Sequence, residues 1–425
     1  MSQTKPKIII IGAGFAGLRA VQKLKHLSAE ILLIERNKYH TFVPLLYQVA
    51  TGFIPAKTVA YPLNKALSSN RNASCFQAEV LNIDFKQKFV RTDRESVAYD
   101  YLVIATGSQT KFLGVDGASE YTYPLRTLQD AVALRDRIFH NLRLAVTCND
   151  SQQKQKLLTF TIVGGGATGV ELAGAIRESI EAAIEQKYLQ LDLNQIKIIL
   201  IHSQDRLLVD LPPRLGTYTG KALHRRGIDI HFATRVSAVM PEAVELDDGK
   251  IIDTATIIWT AGVEANLPTD GDKVPTAKSD KINVRSTLQL LEHPEVYAVG
   301  DVAYVEQKGE PLLGIAPEAL QQGTTVAKNI KRQVKGLAPK PFNYFNKGTA
   351  AIIARNAGVA YLLGKIPLKG FFAWLLWLGI HLYYLPGISH RWVVFQSWIK
   401  DYFTQKRDLE PIFSPIERSQ KSSYK

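Results

Sequence analysis

A chain of 425 residues is long enough for two or three domains, and 46% hydrophobic with 21% charged residues is a globular balance that excludes extended disorder. The excess of 52 Lys+Arg over 39 Asp+Glu, a net charge of +13, points to polyanionic neighbours: phosphate-bearing cofactors, an anionic lipid surface or nucleic acid. Cys75 and Cys148 stand far apart and in no CxxC, which excludes a disulfide framework, a cysteine-rich zinc or iron–sulfur site and a dithiol redox pair; redox chemistry would have to come from an organic cofactor.

The first apolar run, Ile8 to Ile11, is too short for the core of a signal peptide, so the chain is expected in the cytosolic compartment. Lys7 to Ala20, KIIIIGAGFAGLRA, reads as a buried strand, a glycine turn and the start of a helix. Gly12, Gly14 and Gly17 form GxGxxG, in which the turn is tight, the backbone approaches a pyrophosphate, and the helix N-terminus directs free N–H groups at its charge. A second strand, Ile31 to Ile34, ends in Glu35, eighteen residues beyond Gly17, where a carboxylate can accept hydrogen bonds from ribose hydroxyls. Tyr99 to Gly107 is a further strand ending in the small-residue turn Thr106-Gly107.

Phe160 to Ala173, FTIVGGGATGVELA, repeats the opening pattern with Gly164, Gly166 and Gly169, behind a strand from Leu157 to Val163 and before a helix running toward Ile184. Each copy opens a βαβ unit. The predicted fold is therefore α/β, with two Rossmann-like dinucleotide-binding domains, and two dinucleotides in one chain suit a bound electron carrier fed by a diffusible hydride donor. Glu171 lies in the first turn of the second helix, where its charge complements the macrodipole. The strand Lys197 to Ile201 is followed by His202-Ser203-Gln204, with Arg206 close behind. A carboxylate there would accept from the ribose 2′-OH and repel a 2′-phosphate; His202, Ser203 and Gln204 do neither, so NADPH is expected to be tolerated or even preferred over NADH, unless the loop is merely solvated. Ile257 to Gly262 and Val296 to Asp301 read as later strands, and Asp301 alone could equally cap a helix.

Four stretches resemble the two-dinucleotide-fold flavoprotein reductases, and within them the type II NADH:quinone oxidoreductases: GAGFAG at Gly12, ERNKYHTFVPLLYQVATG at Glu35, GGGATGVELAG at Gly164 and VYAVGDVA at Val296. The resemblance extends over nearly the whole chain. It implies FAD in the first fold, held by Gly12, Gly14, Phe15, Ala16, Gly17, Glu35, Arg36, Phe42, Thr106, Gly107, Gly300, Asp301 and Ala319. It implies NADH or NADPH in the second, at Gly164, Gly166, Thr168, Gly169, His202 and Gly262, with Glu171 beside the nicotinamide. The family's glutamine-rich AQxAxQQG becomes Ala316-Pro317-Glu318-Ala319-Leu320-Gln321-Gln322-Gly323, so Gln321 and Gln322 remain to meet a quinone while Pro317 replaces the first glutamine. Lys347 matches a family lysine near the same place, or is an ordinary surface lysine.

Phe371 to Leu385, FFAWLLWLGIHLYYL, is apolar around its circumference but reaches only about 22 Å as a helix, too short for a hydrocarbon core of about 30 Å. After Pro386-Gly387, Trp392, Phe395, Ile399 and Tyr402 share one helical face, and Lys365, Lys369, Arg391, Lys400, Lys406 and Arg407 flank the apolar part. This reads as C-terminal membrane-associating helices, with a dimer interface or a lid as the alternative. The expected boundaries are 1–115 and 263–340 for the FAD domain, 116–262 for the NAD(P)H domain and 341–425 for the membrane region. The expected partners are a membrane quinone, the bilayer surface and a second copy of the chain, with no nucleic acid. The protein would lie peripherally on the cytoplasmic face of a cell or internal membrane and transfer electrons without pumping protons. A soluble ferredoxin- or rubredoxin-type reductase and an NAD(P)H-sensing regulatory flavoprotein are the alternatives; a sulfide:quinone reductase would need persulfide cysteines.

Overall fold

A computed structural model describes residues 5–187, 189–268 and 274–404; the flanking Lys406 and Arg407 lie outside them. In chain order the elements that matter here are β1 (Lys7–Ile11), α1 (Phe15–Leu24), β2 (Glu30–Glu35), α2 (Leu46–Ala50), β3 (Ala73–Gln77), β4 (Tyr101–Ile104), β5 (Tyr123–Pro124), β6 (Thr159–Val163), α3 (Ala167–Glu185), β7 (Lys197–Ile201), β8 (Ile228–His231), β9 (Thr256–Trp259), β10 (Val296–Ala298), α4 (Ala316–Val334), β11 (Gly348–Ala354), β12 (Ala357–Leu362), β13 (Ile366–Gly370), α5 (Phe371–Tyr384) and α6 (Ile388–Thr404).

The chain divides into two compact units. The first comprises residues up to 41, 60–111 and 263–347; the second comprises 42–59, 112–262 and the chain from 348 onward. The contacts thus draw the boundaries differently from the sequence reading. Residues 42–59 leave the first fold, and the C-terminal region joins the second fold instead of standing apart, because β11 lies along α3 and α5 packs on the β11-β12-β13 sheet.

The first unit is built on a five-stranded parallel sheet in the order β10-β4-β1-β2-β3. Its central strand, all isoleucine from Ile8 to Ile11, is buried on both faces, as parallel strands covered by helices must be. Ile8, Ile10, Val21 and Leu24 pack with Val326 and Ile330 of α4. The second unit repeats the plan with the parallel order β5-β9-β6-β7-β8. To it are added an antiparallel β11-β12-β13 sheet and the helices α5 and α6. Gly174 lets α3 lie directly on β11, since a Cβ there would stand 1.8 Å from the Ile353 carbonyl oxygen.

The two C-terminal helices are 14 and 17 residues long, and no described helix is long and apolar enough to cross a membrane. Each has two distinct faces. Ala373 and Trp377 of α5, and Val394, Trp398 and Asp401 of α6, are buried, whereas Phe372 is 74%, Tyr383 70% and Trp392 58% exposed.

Candidate functional site

In the first unit the glycine turn has the geometry the sequence pattern requires. Gly12 has φ +95°, and a Cβ on it would meet the Ala105 carbonyl oxygen at 2.4 Å; one on Gly17 would meet the Gly12 carbonyl oxygen at 1.9 Å. A Cβ on Gly14 would meet nothing within 4 Å, so open space lies in front of the N-terminus of α1, where a pyrophosphate can accept its free N–H groups. Thr106 Oγ1 is buried without a hydrogen-bond partner, and Gly107 turns at φ +74° into open space. These features form a cradle into which a dinucleotide such as FAD fits.

Glu35 does more than end β2. Its carboxylate accepts from the Ala13 N–H at 2.8 Å and from the Asn37 backbone N–H at 3.0 Å, so it braces the glycine turn as well as offering remaining lone pairs to a ribose. Arg36 is exposed, and Phe15 lies edge-on to His40 with ring centres 5.3 Å apart. Gly300, at φ +77°, places its Cα where a Cβ would touch Ala16 and Ala319, and Asp301 accepts from Ser108 Oγ at 2.7 Å. Ala16, Gly300, Asp301 and Ala319 therefore gather in the first unit. Phe42 does not: it is grouped with the second unit, fully buried and edge-on to His381.

The glutamines behave differently from the expectation of free amides facing a ligand. Gln321 exchanges both amide hydrogen bonds with the Phe345 backbone, each 2.9 Å, and so ties down the strand-like segment before β11. Gln322 Oε1 accepts the Gly300 N–H at 2.6 Å. Adjacent helical residues point about 100° apart, which is why the two side chains serve different backbones. Glu318, next in this segment, is buried and accepts from the N–H groups of Leu313, Gly314 and Ile315; burial raises its pKa above the usual carboxylate range. Lys347 is exposed at the threshold of β11.

The second unit carries the matching turn. Gly164 (φ +116°) and Gly169 would clash with Thr260 and with the Gly164 carbonyl oxygen respectively if given a Cβ, while Gly166 faces open space at the start of α3. Thr168 and Gly262 are exposed. His202 is folded back on the turn: its Nδ1 accepts the Gly165 N–H at 3.1 Å, and burial lowers its pKa, so the ring is neutral with its remaining proton on Nε2. Arg206 pairs with Asp205 and with the Val209 carbonyl. Neither side chain presents a free cation to a 2′-phosphate, so the His202 position lacks a repelling carboxylate but also lacks a strong attractor.

Among the described carboxyls of this unit, Glu171 departs furthest from its ordinary pKa. It is buried on α3, its Oε1 accepts from the indole Nε1–H of Trp377 at 3.0 Å and from the Ile352 N–H at 3.3 Å, and burial pushes its pKa up to about 8. The carboxyl lines a cavity of about 40 Å³ with Tyr47, Gln48, Ile352, Arg355 and Trp398. That volume has room for about one water. Gln48 Oε1 accepts from Trp398 Nε1 at 3.0 Å, and Arg355 pairs with Asp401 at 2.8 Å. Trp377 was not singled out in the sequence. A signal was present: Trp374, Trp377 and His381 recur at three and four residues on one face of an otherwise uniform apolar helix.

The comparisons agree with this geometry. Residues 6–323 match the model of the pyridine nucleotide-disulphide oxidoreductase family. The chain is 33% identical over 416 residues to the type II NADH:quinone oxidoreductase Ndh of Mycobacterium tuberculosis, covering 94% of this chain and 89% of that protein. It is 29% identical over 374 residues to the type II NADH:quinone oxidoreductase of Staphylococcus haemolyticus, covering 86% and 92%. Among solved structures, NDH2 of Plasmodium falciparum in complex with NADH superposes with a TM-score of 0.85 at 20% identity, over 94% of this chain and 99% of that one. The sulfide:quinone oxidoreductase of Aquifex aeolicus shares the fold with a TM-score of 0.73 at 18% identity, over 94% and 95%. With two glycine-turn nucleotide folds in one chain and a relative of this similarity over almost its full length, the chain belongs to the type II NADH:quinone oxidoreductases of the pyridine nucleotide-disulphide oxidoreductase family.

Proposed function

We propose that the protein is a flavoprotein that oxidises NADH and reduces a membrane quinone without pumping protons. The observation that carries this reading is the duplication: two parallel sheets, each with a clash-limited glycine turn and open space before a helix N-terminus, in one chain. Bound FAD supplies the two-electron carrier that links a hydride donor to a two-electron acceptor. In the first unit Gly12, Gly14 and Gly17 would hold its pyrophosphate, Glu35 its ribose, and Thr106 Oγ1 one of its polar groups. In the second, the turn from Gly164 to Gly169 would hold the NADH pyrophosphate.

Reducing a quinone with a hydride also consumes one proton. Glu171 keeps its carboxyl protonated up to about pH 8 and lines a cavity able to admit water, so it is the group in the second unit suited to hold that proton. Anaerobic mixing of the FAD-loaded protein with NADH should bleach the flavin, and a short-chain quinone should restore its colour within a turnover. Fast bleaching with sluggish recolouring by quinone would instead mark a nucleotide sensor.

The donor is NADH, and NADPH is accepted less well because His202 is neutral and the neighbouring Arg206 is engaged by Asp205 and the Val209 carbonyl. His202→Glu should lower kcat/KM for NADPH about tenfold or more while leaving NADH within roughly threefold, since a carboxylate repels the phosphate but suits the 2′-OH. Steady-state kinetics with both nucleotides checks this.

The outer faces of α5 and α6 support peripheral membrane association. Phe372, Leu375, Tyr383, Trp392 and Phe403 are exposed, as are Lys400 on α6 and Lys369 on β13 just before α5, the combination that inserts apolar rings while cations meet lipid headgroups. The Phe372→Ser/Tyr383→Ser double variant should lose about a hundredfold in partition to anionic vesicles, at about 1.5 kcal/mol or more per buried ring, as read by co-sedimentation. Retained binding, or a change in oligomeric state in its place, would assign the surface to a second copy of the chain. Docked in this way, on the cytoplasmic face as we read it, the protein would meet a lipid-dissolved quinone from one side of the membrane.

A further inference from the structure

We propose that Trp377 is a positioning residue for the reaction: its indole N–H fixes the Glu171 carboxyl, so that α5 completes the reactive face of the nucleotide-binding helix α3. The inference rests on the role given to Glu171 above. Trp377 is fully buried, and a buried indole needs an acceptor. The acceptor it finds is the Glu171 Oε1, 3.0 Å away and 206 residues distant in sequence, and not a backbone carbonyl of its own helix.

The indole is itself held. His381, one turn further along α5, stacks on it with ring centres 3.7 Å apart, and its Nδ1 donates to the Trp377 carbonyl at 2.8 Å, because a carbonyl can only accept. Burial drives the His381 pKa down to about 4, so this ring stays neutral and brings no competing charge. Tyr47 of α2 lies edge-on to the indole at 6.0 Å, and Trp398 of α6 is tilted against it at 6.1 Å. The other titratable groups facing Glu171 are accounted for. Glu178 on the same helix accepts the Arg355 N–H, Arg355 beyond β11 is paired with Asp401 of α6, and Tyr47 and Tyr402 are the phenols of the cavity. An indole donor stabilises the carboxylate more than the neutral acid, so Trp377 sets both where the carboxyl points and the pH at which it releases its proton.

The test compares the FAD-loaded protein with its Trp377→Phe and Glu171→Gln variants by the pH profile of NADH:quinone turnover. The parent profile should bend near pH 8. Trp377→Phe keeps an aromatic ring but removes the donor, and should move the bend upward by about one pH unit or more. A bend that stays in place in Trp377→Phe while Glu171→Gln abolishes it overturns the proposal and spares the reading of Glu171. A bend that survives Glu171→Gln overturns that reading, and this proposal with it. If Trp377→Phe does not retain FAD, the parent protein suffices. One tryptophan indole ¹H–¹⁵N resonance should shift on Glu171→Gln and titrate with the turnover midpoint, and absence of such a resonance refutes the hydrogen bond.

Discussion

Gly17→Ala should purify colourless. A methyl group at this position would stand 1.9 Å from the Gly12 carbonyl oxygen and 3.2 Å from the Ala105 Cβ, and the first of these is backbone that cannot swing aside. The N-terminal turn of α1 must therefore lift from β1, taking with it the N–H groups aimed at the pyrophosphate. Overpacking of this kind costs up to about 3 kcal/mol, which alone is a hundredfold in affinity. The control is Gly14→Ala. Its methyl group meets nothing within 4 Å, and the residue sits at φ −69°, so the apoprotein should keep its Tm while the methyl group occupies the space required by the cofactor. The ratio of flavin to protein absorbance, measured with the melting temperature of each apoprotein, separates a distorted turn from a filled one.

Glu171→Gln should lower turnover with quinone about a hundredfold or more, the usual contribution of a positioned acid, while raising stability at alkaline pH. The amide oxygen can still accept from Trp377 and Ile352, so the packing survives. What disappears is the ionisable proton. The folded-state pKa of about 8 lies above the ordinary 4.5, so between these values the folded chain holds a proton that the unfolded chain has released. The contribution to stability is complete below about pH 4.5 and declines as pH rises toward about 8. Its upper limit is on the order of 4 to 5 kcal/mol. The amide variant should therefore match its parent in acid and melt at a higher temperature above pH 8. Calorimetric scans across that range measure it, and equal melting temperatures at alkaline pH would show that the carboxyl ionises without cost.

The nucleotide-binding turns were legible in the sequence because backbone sterics leave only glycine at Gly12, Gly17, Gly164 and Gly169, so a residue type reports a geometry directly. The strands before them were legible because a doubly covered parallel strand has no polar face to disguise it. Side-chain partners were less readable. Gln321 and Gln322 look alike as letters, yet one spends its amide on Phe345 and the other on Gly300, because a single residue step turns the helix through about 100°. His202 announced a missing carboxylate but not that its own ring would fold against Gly165. The domain boundaries drifted for a related reason. Phe42 to Val59 follows the first fold in sequence and packs with the second, against the helix Leu128–Thr147 and α3, with hydrogen bonds from Trp398 and His390 more than three hundred residues later. Trp377 was hidden in a helix whose uniform apolarity did not show which face would turn inward, and that face meets a carboxyl.

The threading of residues 42–59 into the second unit has a consequence for how the protein is made. Gln48 receives its hydrogen bond from Trp398, 350 residues further along, and the Thr58 carbonyl receives one from His390, 332 residues further along. A ribosome emits residue 48 long before residue 398. Until α6 emerges, Gln48 and the Thr58 carbonyl lack these two partners, although α2 can already lie on the helix Leu128–Thr147 and on α3. A chain shortened by premature termination before α6 would leave the buried Gln48 amide without the Trp398 donor, and would be a natural substrate for chaperones and proteases.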